Sequence, residues 1–453
     1  MYSILFVDDE QLIIDSVQYL LEWQKNGFAL PLTALFSNAF YGVVDQAEGF
    51  AYRSFTNLSG QSSDPITGGQ ISSGNNYHTG TAHLELETLE LPTEPLYLRG
   101  FGGGEYVGGD WIRSSDEELF DDMAENLNWQ EWEDWIGNMY YSMYYTMNQD
   151  MGEADESASR MLTIQHSNGS YDNLYVPYYS RQRWPGRYRD SRREGYVYQY
   201  YEQKDVQIDW EDVAWQFQQE RDWYTAIQQA YLEEAQDAYT QVPTELLPRL
   251  TQLVRENPLE DLDEITGFIL YTLHSNATYT LTPGRAPLNE DIVEYFLFEQ
   301  GYCVHFAATA TLMYRLYGVP ARYATGYMVS PEDFSLQDNG TYHATVTDES
   351  AHAWVEIFLE GYGWTPVEVT PTAEGTTAAS YPGFSSEDFD QILQSHSWNL
   401  SVPSLEEEPE ADASSAQPAE GGTTSFSLEI HLEEYQDVLY LLAVWLGYCL
   451  LLL

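Results

Sequence analysis

The stretch from Gln300 to Pro371 constrains the fold of this 453-residue chain more than any other. It opens with a run that has few helix breakers and is rich in alanine, which predicts a tightly packed helix beginning near Cys303. The later segment AHAWVEIFL, which starts at Ala351, alternates as a strand does. The turn Gly361-Tyr-Gly then returns the chain as a second strand that closes at Glu368. A helix followed by an antiparallel hairpin predicts an α+β core.

Three side chains of this stretch could act together. A cysteine at a helix N-terminus lies at the positive end of the helix dipole, which favours the thiolate, and Cys303 is so placed. His352 can take the thiol proton and return it to a leaving group. The hairpin would bring Glu368 beside His352, where a carboxylate fixes the tautomer of the ring. Each residue alone could have a purely structural role, as a buried inert cysteine or a structural histidine. The ordered set of three instead indicates a thiol active site.

The bulk composition limits the partners. The net charge is −54, from 72 acidic against 18 basic residues, which argues against nucleic acid and anionic membrane surfaces. The charge suits a soluble domain outside the cytoplasm. The two cysteines, Cys303 and Cys449, make no disulfide scaffold, and the nine histidines lie in no metal-binding motif, so we predict no metal and no cofactor.

The first 28 residues resemble the start of a response-regulator receiver domain. A strand-like run precedes the acids Asp8 and Asp9, and apolar residues then recur at helical spacing. Asp45 follows too closely to serve as the phosphoacceptor, and no lysine occurs between Lys25 and Lys204. We therefore interpret residues 1–28 as a partial βα segment without phosphorelay, and residues 29–65 as a linker.

Two folded regions are predicted next. Residues 66–215 contain short alternating strands, such as HLELETL, and a tyrosine- and tryptophan-rich helical pattern near residues 116–151, which predicts a β-rich accessory domain with a helical insertion. Residues 216–390, with helical patterns ahead of Cys303, form the predicted catalytic domain.

The amino-acid composition changes towards the C-terminal end. Residues 391–436 are predicted as an acidic, disordered linker, since the segment after residue 401 is rich in Pro, Ser, Ala and Glu. Within residues 437–453, the run Val438–Leu453 is apolar and uncharged, but a helix of its length reaches only about 24 Å, against roughly 30 Å for a bilayer core. We interpret the segment as a truncated transmembrane helix, with a buried C-terminal helix as the alternative.

The motifs of the central stretch resemble those of the transglutaminase-like superfamily of papain-type thiol enzymes. They are Gly-x-Cys, Gly-Val-Pro-Ala-Arg, His-Ala-Trp-Val-Glu and Gly-Trp-x-Pro, within residues 245–375. The resemblance implies a papain-like core of helices on an antiparallel sheet, with Cys303 as nucleophile, His352 as general base and Glu368 as orienting acid. Many members have Asp where this chain has Glu368. His305 and His343 do not fit the motifs, and we interpret both as structural.

The resemblance also implies a reaction and a location. The reaction is acyl transfer from a glutamine, amide or peptide carbonyl of a protein or peptide substrate, through a Cys303 thioester, to an amine or to water. The upstream GGQIS and YLRGFGGGEYVGGDW are similar to the β-rich region of bacterial membrane-anchored members, which implies a cell-membrane location with an extracytoplasmic catalytic domain. A non-catalytic surface scaffold on the same fold remains open, as does, with less support, a response-regulator protein.

Overall fold

The computed structural model contains two antiparallel sheets and a central helix. The structure describes residues 68–71, 74–114, 158–167, 174–180, 186–190, 193–206, 218–284, 286, 290–297, 299–371 and 381–400. The receiver-like segment, the linker at 29–65, the helical insertion near 116–151, most of the acidic linker and the apolar terminus at 437–453 lie outside these residues. The interpretations made of them stay predictions.

The first sheet contains the hairpin predicted from the sequence. Its strand order is β14-β13-β10-β2-β3, and the short β5 also pairs with β2. The strands are β2 (Leu96–Val107), β3 (Asp110–Arg113), β5 (Val176–Pro177), β10 (Ala321–Val329), β13 (Ala351–Leu359) and β14 (Gly363–Val367). Strands β13 and β14 pair with Val355 opposite Val367. Gly361 and Gly363 flank the turn with positive φ angles, a conformation that favours glycine.

The second sheet has the order β11-β12-β1-β4-β7-β6. Its strands are β1 (Ala82–Thr88), β4 (Arg160–His166), β6 (Gly186–Asp190), β7 (Arg193–Tyr200), β11 (Ser335–Leu336) and β12 (Tyr342–Thr347). Strand β1 pairs along its length with β12, more than 250 residues later in the chain. A short parallel pair, β8 (Thr278–Tyr279) and β9 (Gln300–Gly301), lies just ahead of Cys303.

Six α-helices fall in the described part of the chain. They are α1 (Gln218–Ala238), α2 (Pro248–Glu256), α3 (Leu262–Asn276), α4 (Ile292–Phe296), α5 (Cys303–Leu316) and α6 (Ser386–Ser395). Helix α3 begins at a regular cap, in which the Asp261 carboxylate accepts the backbone N–H groups of Asp263 and Glu264. None of the described helices is long and apolar enough to cross a membrane.

Helix α5 forms the centre of the core. Every side chain from Cys303 to Arg315 is buried, because α2, α3 and α4 pack on it while strands β10 and β13 lie against it. Small residues make this close approach possible, as in the run Ala307, Ala308 and Ala310, which is fully buried. A helix buried all round also explains why its sequence lacks a polar stripe.

The architecture is the predicted α+β arrangement of helices on antiparallel sheet. Both sheets combine strands from before residue 215 with strands from after residue 320, as in the pairing of β2 with β10. The region named as accessory therefore contributes strands to the same sheet as His352. The domain boundaries themselves stay a prediction.

Candidate active site

Cys303 occupies the first turn of α5. Tyr302 precedes it in an extended conformation, and the Tyr302 backbone N–H donates to Nδ1 of His305 at 3.2 Å. Gly301 is required just before, since a Cβ there would lie 2.6 Å from the Phe296 ring and 2.8 Å from the His305 ring. The thiol consequently lies at the helix N-terminus, where backbone N–H groups point away from the helix and the dipole is positive.

His352 and Glu368 meet across the hairpin, as the sequence predicted. Nε2 of His352 lies 2.7 Å from Oε2 of Glu368, and both side chains are nearly buried. Glu368 follows the last residue of β14, so its longer side chain reaches back to His352 from the strand end. The family's more common Asp is thus replaced here without loss of the contact.

The ionisation of this pair is set by its surroundings. Burial by itself would lower the pKa of His352, but the Glu368 carboxylate and a hydrogen bond with Cys303 raise that pKa well above its usual value. Burial would raise the pKa of Glu368, yet His352 and the Thr370 backbone N–H hold it below its usual value. Because Nε2 of His352 faces the carboxylate, Nδ1 is the ring atom left for the thiol. The arrangement favours an imidazolium beside the Glu368 carboxylate.

The three residues open onto one cleft of about 680 Å³. Besides Cys303, His352 and Glu368, its walls include Asn76, His78, Glu94, Leu96, Tyr97, Tyr178, Tyr279, Leu281, Met328 and Glu349. Such a volume accommodates a peptide side chain with its neighbours. Most of these further wall residues come from the β-rich region before residue 206.

Two residues that support the acid were missed in the sequence. The Tyr97 hydroxyl donates to Oε2 of Glu368 at 3.0 Å, and the Thr370 backbone N–H donates to Oε1 at 2.8 Å. Burial and the Glu368 charge raise the pKa of Tyr97 well above its usual value, which keeps it a donor. His274 of α3 holds the same strand end, since its Nε2–H donates to the Val369 carbonyl at 3.1 Å. Tyr97 opens the segment YLRGFGGGEYVGGDW, but nothing in that segment points to Glu368, which lies 271 residues away.

A buried ion pair joins β13, the strand of His352, to its neighbour β10. Arg322 contacts Oε2 of Glu356 through Nη2 at 2.7 Å and Nε at 2.9 Å, and both side chains are inaccessible to solvent. Arg99 approaches the other oxygen at 3.4 Å. Burial would raise the pKa of Glu356, but the two arginines hold it low. The signal was present in the Gly-Val-Pro-Ala-Arg and His-Ala-Trp-Val-Glu motifs, which end in these two residues.

The other histidines have contacts of their own. His305 caps α5 and stacks on Phe296, with ring centroids 5.3 Å apart. His343 lies in β12 of the second sheet, where its Nε2 is 3.4 Å from Glu85. Within the described residues, no group of three His, Cys, Asp or Glu side chains is arranged to hold a metal ion.

Fold and site together place a thiol, an imidazole and a carboxylate at the junction of a helix and an antiparallel sheet. Residues 249–369 match the model of the transglutaminase-like superfamily, so the chain carries a transglutaminase-like domain. The resemblance drawn from the motifs is thereby confirmed.

Similar proteins include two bacterial ones. An uncharacterized protein, YebA, of Bacillus subtilis is 32% identical over 162 residues, which are 34% of this chain and 21% of that protein. A protein-glutamine gamma-glutamyltransferase of Pseudomonas aeruginosa is 35% identical over 99 residues, 21% of this chain and 14% of that protein. The chain thus matches only about a fifth of the length of the first relative and less of the second.

Among solved structures, the periplasmic domain of TgpA from Pseudomonas aeruginosa aligns with 66% of this chain and 93% of its own length. The sequence identity is 16% and the TM-score is 0.42.

Proposed function

We propose that the chain is a cysteine acyltransferase that acts on carboxamide groups, such as protein glutamine, through a thioester on Cys303. One observation carries this proposal: Cys303, His352 and Glu368 line the same cleft, with His352 hydrogen-bonded to the acid and close enough to Cys303 to interact with its thiol. That order matches the requirement for an activated nucleophile, a proton carrier and an orienting acid.

The proposed steps use these groups in turn. The Cys303 thiolate attacks the carboxamide carbon, and the carbonyl oxygen becomes an oxyanion that the Cys303 backbone N–H stabilises. The tetrahedral adduct collapses, the C–N bond breaks, and the His352 imidazolium protonates the departing ammonia. An amine or water then attacks the thioester, gives its proton to His352, and releases the thiolate.

The acceptor is proposed to be an amine, with hydrolysis as the competing outcome. The cleft wall includes the carboxylates of Glu94 and Glu349, which attract a cationic group before its amine loses a proton and reacts. The Pseudomonas relative is named a protein-glutamine gamma-glutamyltransferase, a name that describes transfer rather than hydrolysis and is consistent with this choice. We further propose that the domain works outside the cytoplasm, tethered by the apolar segment at residues 437–453.

The test is mass spectrometry of a glutamine peptide library incubated with the full chain, with and without a primary amine. We expect amine-linked products with wild type and with Cys449→Ser, which leaves one thiol in the chain, and none with Cys303→Ala. Products that carry only a carboxylate would replace the transferase by an amidase. A folded wild-type chain without any turnover would favour the surface-scaffold alternative.

A further inference from the structure

Strand β13 presents three functional side chains on one face. His352, Trp354 and Glu356 alternate along it, and the partner strand β10 places Gly326, Ala324 and Arg322 opposite them. No side chain fits at Gly326, because a Cβ there would lie 1.9 Å from the Leu98 carbonyl oxygen of the neighbouring strand β2. The β2 backbone thus packs closely against β10 at the residue opposite His352.

The hydroxyl of Tyr178 joins two of these side chains. It forms a hydrogen bond with Oε1 of Glu356, and the Trp354 indole Nε1–H lies 2.7 Å from the Tyr178 hydroxyl oxygen. The direction of both bonds follows from the chemistry, since a carboxylate only accepts and an indole N–H only donates. The hydroxyl thus donates to Glu356 and accepts from Trp354, which links the indole to the buried ion pair.

Trp354 in turn contacts His352 and Tyr97, the tyrosine that donates to Glu368. Its ring lies nearly parallel to that of His352, with an interplanar angle of 21° and centroids 6.3 Å apart. The Tyr97 ring meets it edge-on at 5.0 Å, and the Tyr97 hydroxyl donates to Glu368. Trp354 is fully buried, so a rotation of its indole would disturb His352 and Tyr97 together.

We propose that Tyr178 is a positioning residue for the catalytic histidine, acting through Trp354 and anchored on the buried Glu356–Arg322 ion pair. The inference rests on the proposed function, in which His352 and Cys303 react as a pair. Tyr178 follows β5, and Tyr97 belongs to β2, so both supports come from outside residues 249–369. The region that matches the family is, on this proposal, an incomplete catalytic unit, and the β-rich region before residue 206 completes it.

The test measures the alkylation rate of Cys303 by iodoacetamide across pH, in full-length chains that carry Cys449→Ser so that one thiol reports. Tyr178→Phe keeps the ring and removes the hydroxyl. In the reaction with a glutamine peptide and an amine, we expect kcat to fall about tenfold. KM should stay within about twofold of wild type, because the lost hydrogen bonds affect the orientation of His352 rather than substrate binding. We also expect the acid limb of the alkylation profile to move up by roughly half a pH unit, since a misplaced His352 stabilises the thiolate less.

Tyr314→Phe is the matched control. It removes another buried hydroxyl, which bonds Thr266 at 2.8 Å within the core, and should lower the thermal midpoint without moving the alkylation profile. A Tyr178→Phe variant that loses thermal stability but keeps both kcat and the wild-type profile would overturn the proposal.

A second variant tests the route through the indole and serves if Tyr178→Phe does not fold. Trp354→Phe removes the N–H that Tyr178 accepts, and it should give a shift of the same sign. In the double variant, Tyr178→Phe with Trp354→Phe, the two shifts of the alkylation profile should not add, because both substitutions break the same Tyr178–Trp354 hydrogen bond. Additive shifts would contradict the route. A wild-type chain with no alkylation above that of a free thiol would instead refute the proposed function, before any variant is compared.

Discussion

Two buried carboxylates, Glu368 and Glu356, lie on the same face of the first sheet and have similar supports. Each is within reach of a tyrosine hydroxyl, from Tyr97 and Tyr178 respectively, and Trp354 contacts both tyrosines. They differ in the cation. Glu368 is paired with a histidine, whereas Glu356 is paired with Arg322 and, more distantly, Arg99.

The cation decides what each carboxylate can do. An arginine keeps its charge at every working pH, so Glu356 serves as a fixed anchor. A histidine can release its proton, so the charge beside Glu368 can change during a reaction. The raised pKa of His352 means that the stability from its pair is full below the ordinary histidine pKa and is lost as pH rises through the raised pKa. The lowered pKa of Glu356 means that its contribution is present above the ordinary carboxyl pKa and is lost only as pH falls through the lowered one.

Glu368→Gln gives the largest expected effect. The amide keeps the shape but removes the charge that raises the pKa of His352, and it can leave the ring in the wrong tautomer. We expect kcat to fall about a thousandfold, which corresponds to about 4 kcal/mol in the activation free energy. Because the imidazolium then loses its proton at lower pH, the alkaline limb of the rate profile should move to lower pH. Steady-state kinetics across pH measure both changes.

The same variant separates the two carboxylates in stability. The difference in unfolding free energy between wild type and Glu368→Gln should shrink when the pH rises above the raised pKa of His352. An unchanged difference at high pH would mean that the His352–Glu368 contact carries no charge in the folded chain.

Glu356→Gln comes next and should act mainly on stability. It leaves the Arg322 charge buried without its carboxylate, a loss of about 3 to 5 kcal/mol in the free energy of unfolding. Denaturant unfolding measures it, and the loss relative to wild type should persist at alkaline pH, unlike that of Glu368→Gln. Glu85→Gln is the control, since that acid is partly exposed beside His343, and its loss should be below about 1 kcal/mol. A loss as small for Glu356→Gln would contradict its role as an anchor.

The sequence predicted one carboxylate of this pair and not the other. Local sequence patterns define the helix start and the hairpin that carry Cys303, His352 and Glu368. The proximity of these three side chains could therefore be predicted. The roles of Tyr97 and Tyr178 depend on β2 and β5 pairing in the first sheet, and tyrosine is too common in this chain to mark two positions. Arg322 and Glu356 are the last residues of the Gly-Val-Pro-Ala-Arg and His-Ala-Trp-Val-Glu motifs, but only the β10–β13 register places them opposite each other.

Tyr97→Phe is the smallest expected change and the sharpest comparison between the two supports. It removes one of the donors to Glu368 and leaves the ring against Trp354, while the His352 and Thr370 contacts remain. We expect kcat to fall about fivefold, near 1 kcal/mol, with KM unchanged. The loss of a donor that favours the carboxylate should also raise the pKa of Glu368, so the acid limb of the rate profile should move to higher pH. A larger loss than that of Tyr178→Phe, with the acid limb unmoved, would mean that the Tyr97 hydroxyl contacts substrate rather than supporting the acid. In that case the two tyrosines would have different roles, and the likeness between the two carboxylate sites would end at their geometry.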